Sequence, residues 1–190
     1  DGKTYGGGGN DVSTGVEIAK EAAQYDMKVL LDFHYSDFWA EPAVQLVPKA
    51  WKKDVNNTEK MCSDVYDFTK EYIKKFKDAG ANIGMVQVGN EITNGLLGIY
   101  SNRDKGESFN VIWGDKKKST EVNKYLKAGI KAVRECTPQA LVALHLETPN
   151  VWKYKTIMNT WKRDNVDYDV LGSSYYPFWS IAAKANTPKT

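Results

Sequence analysis

At 190 residues, 42% of them hydrophobic, the chain has the apolar content of one packed domain. Its net charge is +2 and its lysines are spread through helical stretches, so no basic face is offered to nucleic acid or an anionic membrane. No stretch approaches the roughly 18 to 20 apolar residues of a membrane span.

Residues 5–10 form a glycine-rich lead-in; no strand precedes it and no Lys-Ser/Thr follows, which favours a flexible loop over a phosphate loop. A helix is expected over residues 14–25, with Thr14 and Glu17 as a capping box and Val16, Ala19, Ala22 and Ala23 as its packing stripe. Residues 29–34 read as a strand with Val29, Leu31 and Phe33 on one face and Leu30, Asp32 and His34 on the other. Polar groups enter that second face only at its C-terminal end, as in a parallel barrel strand. A loop dense in aromatics and acids follows, Tyr35 to Pro42. A helix over residues 58–79 then buries Met61, Val65, Phe68, Tyr72, Ile73 and Phe76 and stops at Gly80.

The next strand, residues 85–91, is apolar and runs into a turn carrying Asn90 and Glu91 side by side. A carboxyl group at the mouth of an apolar barrel is partly desolvated and so suited to holding a proton for donation to a leaving oxygen. A long loop spans residues 93–118, and its Lys116-Lys117-Lys118 run reads as a solvated segment ahead of a helix over residues 120–136. That helix carries Val122, Leu126, Ile130 and Val133 on one stripe. A strand at residues 141–146 with His145 near its top, a helix over residues 150–163 and a strand at residues 168–174 complete the pattern. Cys62 and Cys136 fall at opposite ends of parallel neighbouring helices, too far apart for a disulfide.

Strand and helix alternate with crossovers long enough for parallel pairing, which is an α/β fold. Four strands make either an open doubly wound sheet or part of a (β/α)8 barrel, which needs roughly 250 residues. The absence of a glycine-rich turn after the first strand argues against a dinucleotide-binding sheet.

Four motif runs narrow the choice: Leu30-Leu31-Asp32-Phe33-His34-Tyr35-Ser36-Asp37-Phe38-Trp39, Pro48-Lys49-Ala50-Trp51, Val86-Gln87-Val88-Gly89-Asn90-Glu91-Ile92-Thr93-Asn94-Gly95 and Ser174-Tyr175-Tyr176-Pro177-Phe178-Trp179. In order and through almost the whole chain, they resemble the arabinogalactan endo-β-1,4-galactanases of glycoside hydrolase family 53. The resemblance implies a (β/α)8 TIM barrel, incomplete here, with about strands three to six and their helices. Residues 1–190 would then be part of a single catalytic barrel whose first two and last two strands are missing.

The resemblance also implies a retaining hydrolase in which one carboxyl group protonates the leaving oxygen and a second, roughly 5 Å away, attacks the sugar. Glu91 matches the acid/base and Asn90 the neighbouring amide that holds a sugar hydroxyl. The nucleophile is expected beyond the C-terminus of this chain, which alone is expected to be inactive. Glu147 is a loop acid at a position where the family places no nucleophile.

Asp32, His34, Asp37 and His145 are candidate substrate or supporting contacts, and Trp39, Tyr175 and Trp179 candidate stacking platforms. No metal site and no cofactor is expected in this segment; calcium belongs to late loops of bacterial members. The expected partner is a polysaccharide, β-1,4-galactan, with no nucleic acid and no membrane, and the expected state is an extracellular monomer. Two alternatives stand beside this reading: a galactan-binding relic or truncated inactive fragment, and a clan relative acting on another β-glycan. The Asp-Phe-His-Tyr-Ser-Asp-Phe-Trp loop, narrower in distribution than Asn-Glu, disfavours the latter.

Overall fold

The structure, a computed structural model, describes residues 11–102 and 105–176. The glycine-rich lead-in and Trp179 lie outside the described residues. Helix α1 (Val12–Ala23) begins two residues before its expected start, because Asp11 is the cap: its carboxylate accepts the Thr14 N–H at 3.0 Å. The Thr14–Glu17 capping box is therefore not the device used.

Strand β1 (Val29–Phe33) leads through a loop and a 3-10 turn, Lys49–Asp54, into α2 (Thr58–Asp78), capped by Asn57. Strand β2 (Ile83–Val88) follows, starting two residues earlier than the apolar run suggested. The expected long loop is in fact structured. A 3-10 turn, Ile92–Asn94, is followed by a small antiparallel hairpin of β3 (Gly95–Leu96) and β4 (Ile99–Tyr100), then by α3 (Asn110–Trp113). Gly95 is required there: a Cβ on it would sit 2.0 Å from the Ile99 carbonyl oxygen.

Helix α4 (Lys116–Cys136) takes the lysine run into its first turn instead of leaving it in a loop. Three cations are the wrong sign for a helix N-terminus, and Asp115 offsets them by capping the Lys118 N–H at 3.0 Å. That bond holds the Asp115 carboxyl below its usual range. Strand β5 (Leu141–Leu146) matches its expected bounds, α5 (Val151–Arg163) is capped by Asn150, and β6 (Val170–Ser173) is the last described element.

The four main strands pair in the order β1-β2-β5-β6, all parallel and in sequence order. Register puts Leu31, Val86 and Val142 side by side, and Leu144 beside Leu171. This face is buried with Val65 and Ile73 of α2, Leu126, Ile130 and Val133 of α4, and Ile157 and Trp161 of α5 in one core. On the opposite face, Leu30 and Leu141 remain 50% and 45% exposed at the lower end. A sheet without order reversal, covered by helices on one face only, is an arc of a β/α barrel; a doubly wound sheet reverses its order and is covered on both.

Cys62, in the first turns of α2, and Cys136, the last residue of α4, are both free. At the base of the sheet Arg134 pairs with Asp169 at 2.8 Å, and Asp169 also accepts the Val142 N–H at 2.7 Å, tying α4 to β5 and to the start of β6.

Candidate active site

The C-terminal edge of the sheet carries three of the six described non-glycine residues with positive φ. Just past β1, β2 and β5 stand Tyr35 (φ 51°), Glu91 (φ 47°) and Thr148 (φ 44°), each a non-glycine residue in left-handed conformation. Such a conformation costs on the order of 1–3 kcal/mol and persists only where its surroundings impose it. At Glu91 the surroundings are identifiable. Gly89 turns the chain at φ 85°, and Ile92, fully buried, anchors the far side of the turn. The result is a carboxyl group lifted from the end of a central strand beside the Asn90 amide.

Both side chains are held by polar partners. Asn90 Nδ2 donates to the Ala40 carbonyl at 2.9 Å, and Asn90 Oδ1 accepts from Gln87 Nε2 at 3.2 Å and lies 2.9 Å from His145 Nδ1. The Asn90 backbone carbonyl accepts from Gln45 Nε2 at 2.9 Å, and the same Gln45 nitrogen reaches the Glu41 carbonyl at 3.2 Å. Glu91 Oε1 is hydrogen-bonded to Ser174 Oγ, which lies 3.0 Å from His145 Nε2. The Glu91 N–H points at His145 Nδ1, 3.3 Å away. Burial holds His145 below its ordinary value, against the opposing pull of the Glu91 and Asp32 carboxylates.

At the end of β1, Asp32 Oδ1 accepts from Gln87 Nε2 at 2.5 Å. His34 Nδ1 accepts the Ala40 N–H at 3.0 Å, so the neutral ring carries its proton on Nε2 and donates it to Asp32 Oδ2, 3.1 Å away. His34 thus holds the loop whose Ala40 carbonyl in turn holds Asn90. Asp37 is not brought to this cluster: its carboxylate accepts the Lys49 N–H at 2.8 Å and secures the 3-10 turn. Trp39 is 58% exposed and stacks on Phe38 with ring centroids 6.4 Å apart, while Tyr175 is 53% exposed just beyond Ser174. Glu147 is engaged by Lys153 at 3.1 Å, and its N–H donates to Thr93 Oγ1.

Two carboxyls (Asp32 and Glu91), two imidazoles (His34 and His145) and the Asn90 amide converge on the sheet edge, flanked by exposed aromatics, an arrangement able to hold and pass a proton. Among the described residues no three His, Cys, Asp or Glu side chains cluster as ligands for a metal ion.

The profile of glycosyl hydrolase family 53 matches residues 1–188. The chain belongs to that family. Over 179 residues it is 44% identical to an endo-beta-1,4-galactanase of Bacillus subtilis (strain 168), covering 94% of this chain and 37% of that protein. Among solved structures, the Ignisphaera aggregans GH53 catalytic domain superposes with a TM-score of 0.78 at 32% identity, over 94% of this chain and 45% of that one. A structure of fungal beta-1,4-galactanases gives a TM-score of 0.71 at 25% identity, over 96% and 54%. The chain therefore spans about half or less of the length of these relatives. Its four strands are an incomplete (β/α)8 barrel, as the family resemblance implied.

Of the residues singled out from sequence, Glu91, Asn90, His145, Asp32 and His34 are joined in one hydrogen-bonded network; Trp39 and Tyr175 stand exposed beyond it. The family 53 pattern alone did not single out Ser174, Gln87 or Gln45. Gln87 had a visible signal: it is a polar residue in the middle of an apolar strand, and it pairs in register with Asp32. Ser174 opened the last motif run and ended the last expected strand, but its partner was not readable until β6 was placed beside β5, where its N–H donates to the Leu146 carbonyl at 3.1 Å.

Proposed function

We propose that the chain is part of the catalytic domain of an endo-β-1,4-galactanase that cleaves (arabino)galactan by a retaining double displacement, with Glu91 as acid/base. The observation that carries this is the Asn90–Glu91 turn, held in a strained conformation at the end of a central barrel strand, with Asn90 tied down by Gln45, Gln87 and Ala40. Rigid placement of a proton donor beside a sugar-binding amide is what protonation of a glycosidic oxygen requires. The similarity of family members named galactanases supports the choice of substrate.

The second carboxylate is assigned to residues beyond the 190 at hand, in keeping with the share of its relatives' length that the chain leaves uncovered. Glu147, neutralised by Lys153, does not serve. Asn90 holds the hydroxyl next to the reacting carbon, and Trp39 and Tyr175 give flat faces for galactosyl rings. A polymer of this size is met outside the cell, and one copy of the barrel suffices for the chemistry, so the enzyme is read as an extracellular monomer.

The test is hydrolysis of linear β-1,4-galactan by the whole protein that contains this chain. Galacto-oligosaccharides are expected, and Glu91→Gln should cut their release by about 10²–10⁴-fold, the usual worth of a general acid/base. Undiminished release by the variant refutes the role of Glu91. Cleavage of mannan or xylan with galactan untouched refutes the substrate.

A further inference from the structure

Each ring nitrogen of His145 is placed for a choice. Nδ1 has one partner of each polarity, the acceptor Asn90 Oδ1 at 2.9 Å and the donor Glu91 N–H at 3.3 Å. Nε2 faces Ser174 Oγ at 3.0 Å, a hydroxyl that either gives or takes a hydrogen bond, and the same oxygen contacts Glu91 Oε1. The Asn90 amide is not free to turn over to relieve a mismatch, because its Nδ2 is committed to the Ala40 carbonyl and its Oδ1 to Gln87. A serine hydroxyl has one proton, so it cannot donate to Glu91 and to His145 at once. The state of the carboxyl therefore dictates the direction of the whole chain.

We propose that Ser174 and His145 are positioning residues that couple the proton on Glu91 to the grip on Asn90, through a change of His145 tautomer. With Glu91 protonated, its O–H donates to Ser174 Oγ, Ser174 donates to His145 Nε2, and the Nδ1–H donates to Asn90 Oδ1. When Glu91 gives its proton to a leaving oxygen, Ser174 turns its own proton onto the carboxylate. His145 then takes a proton from water on Nε2 and returns the one on Nδ1 to water, so that one proton in all has left the site. The bare Nδ1 now accepts the Glu91 N–H, and Asn90 Oδ1, left facing a lone pair, loses its bond from His145 and keeps only the one from Gln87. Reprotonation of Glu91 reverses each step.

The charged groups that act on the ring are Glu91 past β2 and Asp32 and His34 at the end of β1; on the adjoining elements, the Tyr154 hydroxyl of α5 is 2.7 Å from Ser173 Oγ, and Glu147 past β5 is paired with Lys153. Burial disfavours the imidazolium, while the Glu91 and Asp32 carboxylates pull the other way; the tautomer choice itself rests on the paired donor and acceptor at Nδ1. The catalytic meaning of this coupling rests on Glu91 being the acid/base, but its test does not use activity.

The test uses the whole protein that contains this chain, labelled with ¹⁵N-histidine and ¹³C-glutamate; the signals of the two histidines of this chain are assigned with His34→Asn and His145→Asn, and that of the Glu91 carboxyl with Glu91→Gln. Across the acid to neutral range, His145 should switch from Nδ1–H to Nε2–H with the same midpoint as the Glu91 side-chain carboxyl signal. In Ser174→Ala, Glu91 should still titrate while the tautomer no longer follows it. One fixed tautomer while Glu91 titrates, an imidazolium forming at that midpoint, or coupling that survives Ser174→Ala each overturns the proposal. Should that variant not fold, the titration of the unmodified chain decides. Failure of galactan cleavage would leave these signals unchanged, so the two readings fail separately.

Discussion

Gly129 lies in the middle of α4, where glycine weakens a helix by about 1 kcal/mol relative to alanine. The reason for it is contact: a Cβ there would meet Tyr35 Oη at 2.7 Å and Val88 Cγ1 at 2.8 Å. Gly129→Ala should gain the helix term, about 1 kcal/mol, and incur about 1–3 kcal/mol of overpacking, for a net loss near 1 kcal/mol.

Tyr35→Phe removes the hydroxyl that meets half of this clash. Thr69 Oγ1 donates to the Val65 carbonyl at 2.7 Å, so the buried Tyr35 hydroxyl is the donor in its 2.8 Å bond to Thr69. Losing it leaves no donor orphaned, which puts the cost near 1 kcal/mol. The double variant should then be more stable than the sum of the two losses by roughly 1 kcal/mol, the Val88 contact remaining. Urea midpoints of the four proteins, read at a common slope, measure this coupling. Additivity within about 0.3 kcal/mol would refute the claim that α4 is seated against the Tyr35 hydroxyl.

Gln45→Ala, by removing the buried amide that donates to the Glu41 and Asn90 carbonyls, should destabilise the chain by about 1 kcal/mol, and by thermal unfolding the loss should exceed that of any exposed Gln→Ala control. Asp169 is held below the ordinary carboxyl value of 3.8, first by Arg134 and then by the Val142 N–H. A depressed folded-state value means that this contribution is complete above 3.8 and is lost as pH falls below it, since the unfolded chain takes up the proton first. Arg134→Gln should therefore flatten the acid limb of stability against pH, and an unaltered limb would contradict the assignment. Trp39→Ala should leave stability within about 0.5 kcal/mol, as an exposed side chain does. It should also weaken galactan binding in calorimetry by roughly five- to tenfold if its ring stacks on sugar.

The barrel units were readable because their signals are long. The α2 stripe from Met61 to Phe76 and the apolar β5 run place themselves by period alone. What escaped was local. The start of β2 was hidden by Gly84, whose absent side chain interrupts the apolar run; a Cβ there would lie 2.9 Å from Lys28 Cβ, so the gap in the pattern is a close approach. The β3–β4 hairpin has two residues per strand, too few for any alternation to show. The first turn of α4 was masked by three lysines, and only the capping carboxylate of Asp115 gives it away. In the site, Glu91 and Asn90 were legible as polar residues ending an apolar strand. The partnership of Ser174 with Glu91 spans 83 residues and follows from strand order, which no local pattern carries.

The left-handed backbone at Glu91 sets evolution of this protein against itself. Glycine is at ease at φ 47°, glutamate is not. Glu91→Gly would relax the turn and discard the carboxyl in one step. Taken with the proposed acid/base role of Glu91, a variant library sorted for heat resistance alone should accumulate that change and yield barrels that melt later without turnover, whereas sorting for turnover should keep glutamate at the expense of the melting temperature. Engineers seeking a hardier form should leave this turn untouched and look to the base of the sheet, where Arg134 and Asp169 already join helix to strand.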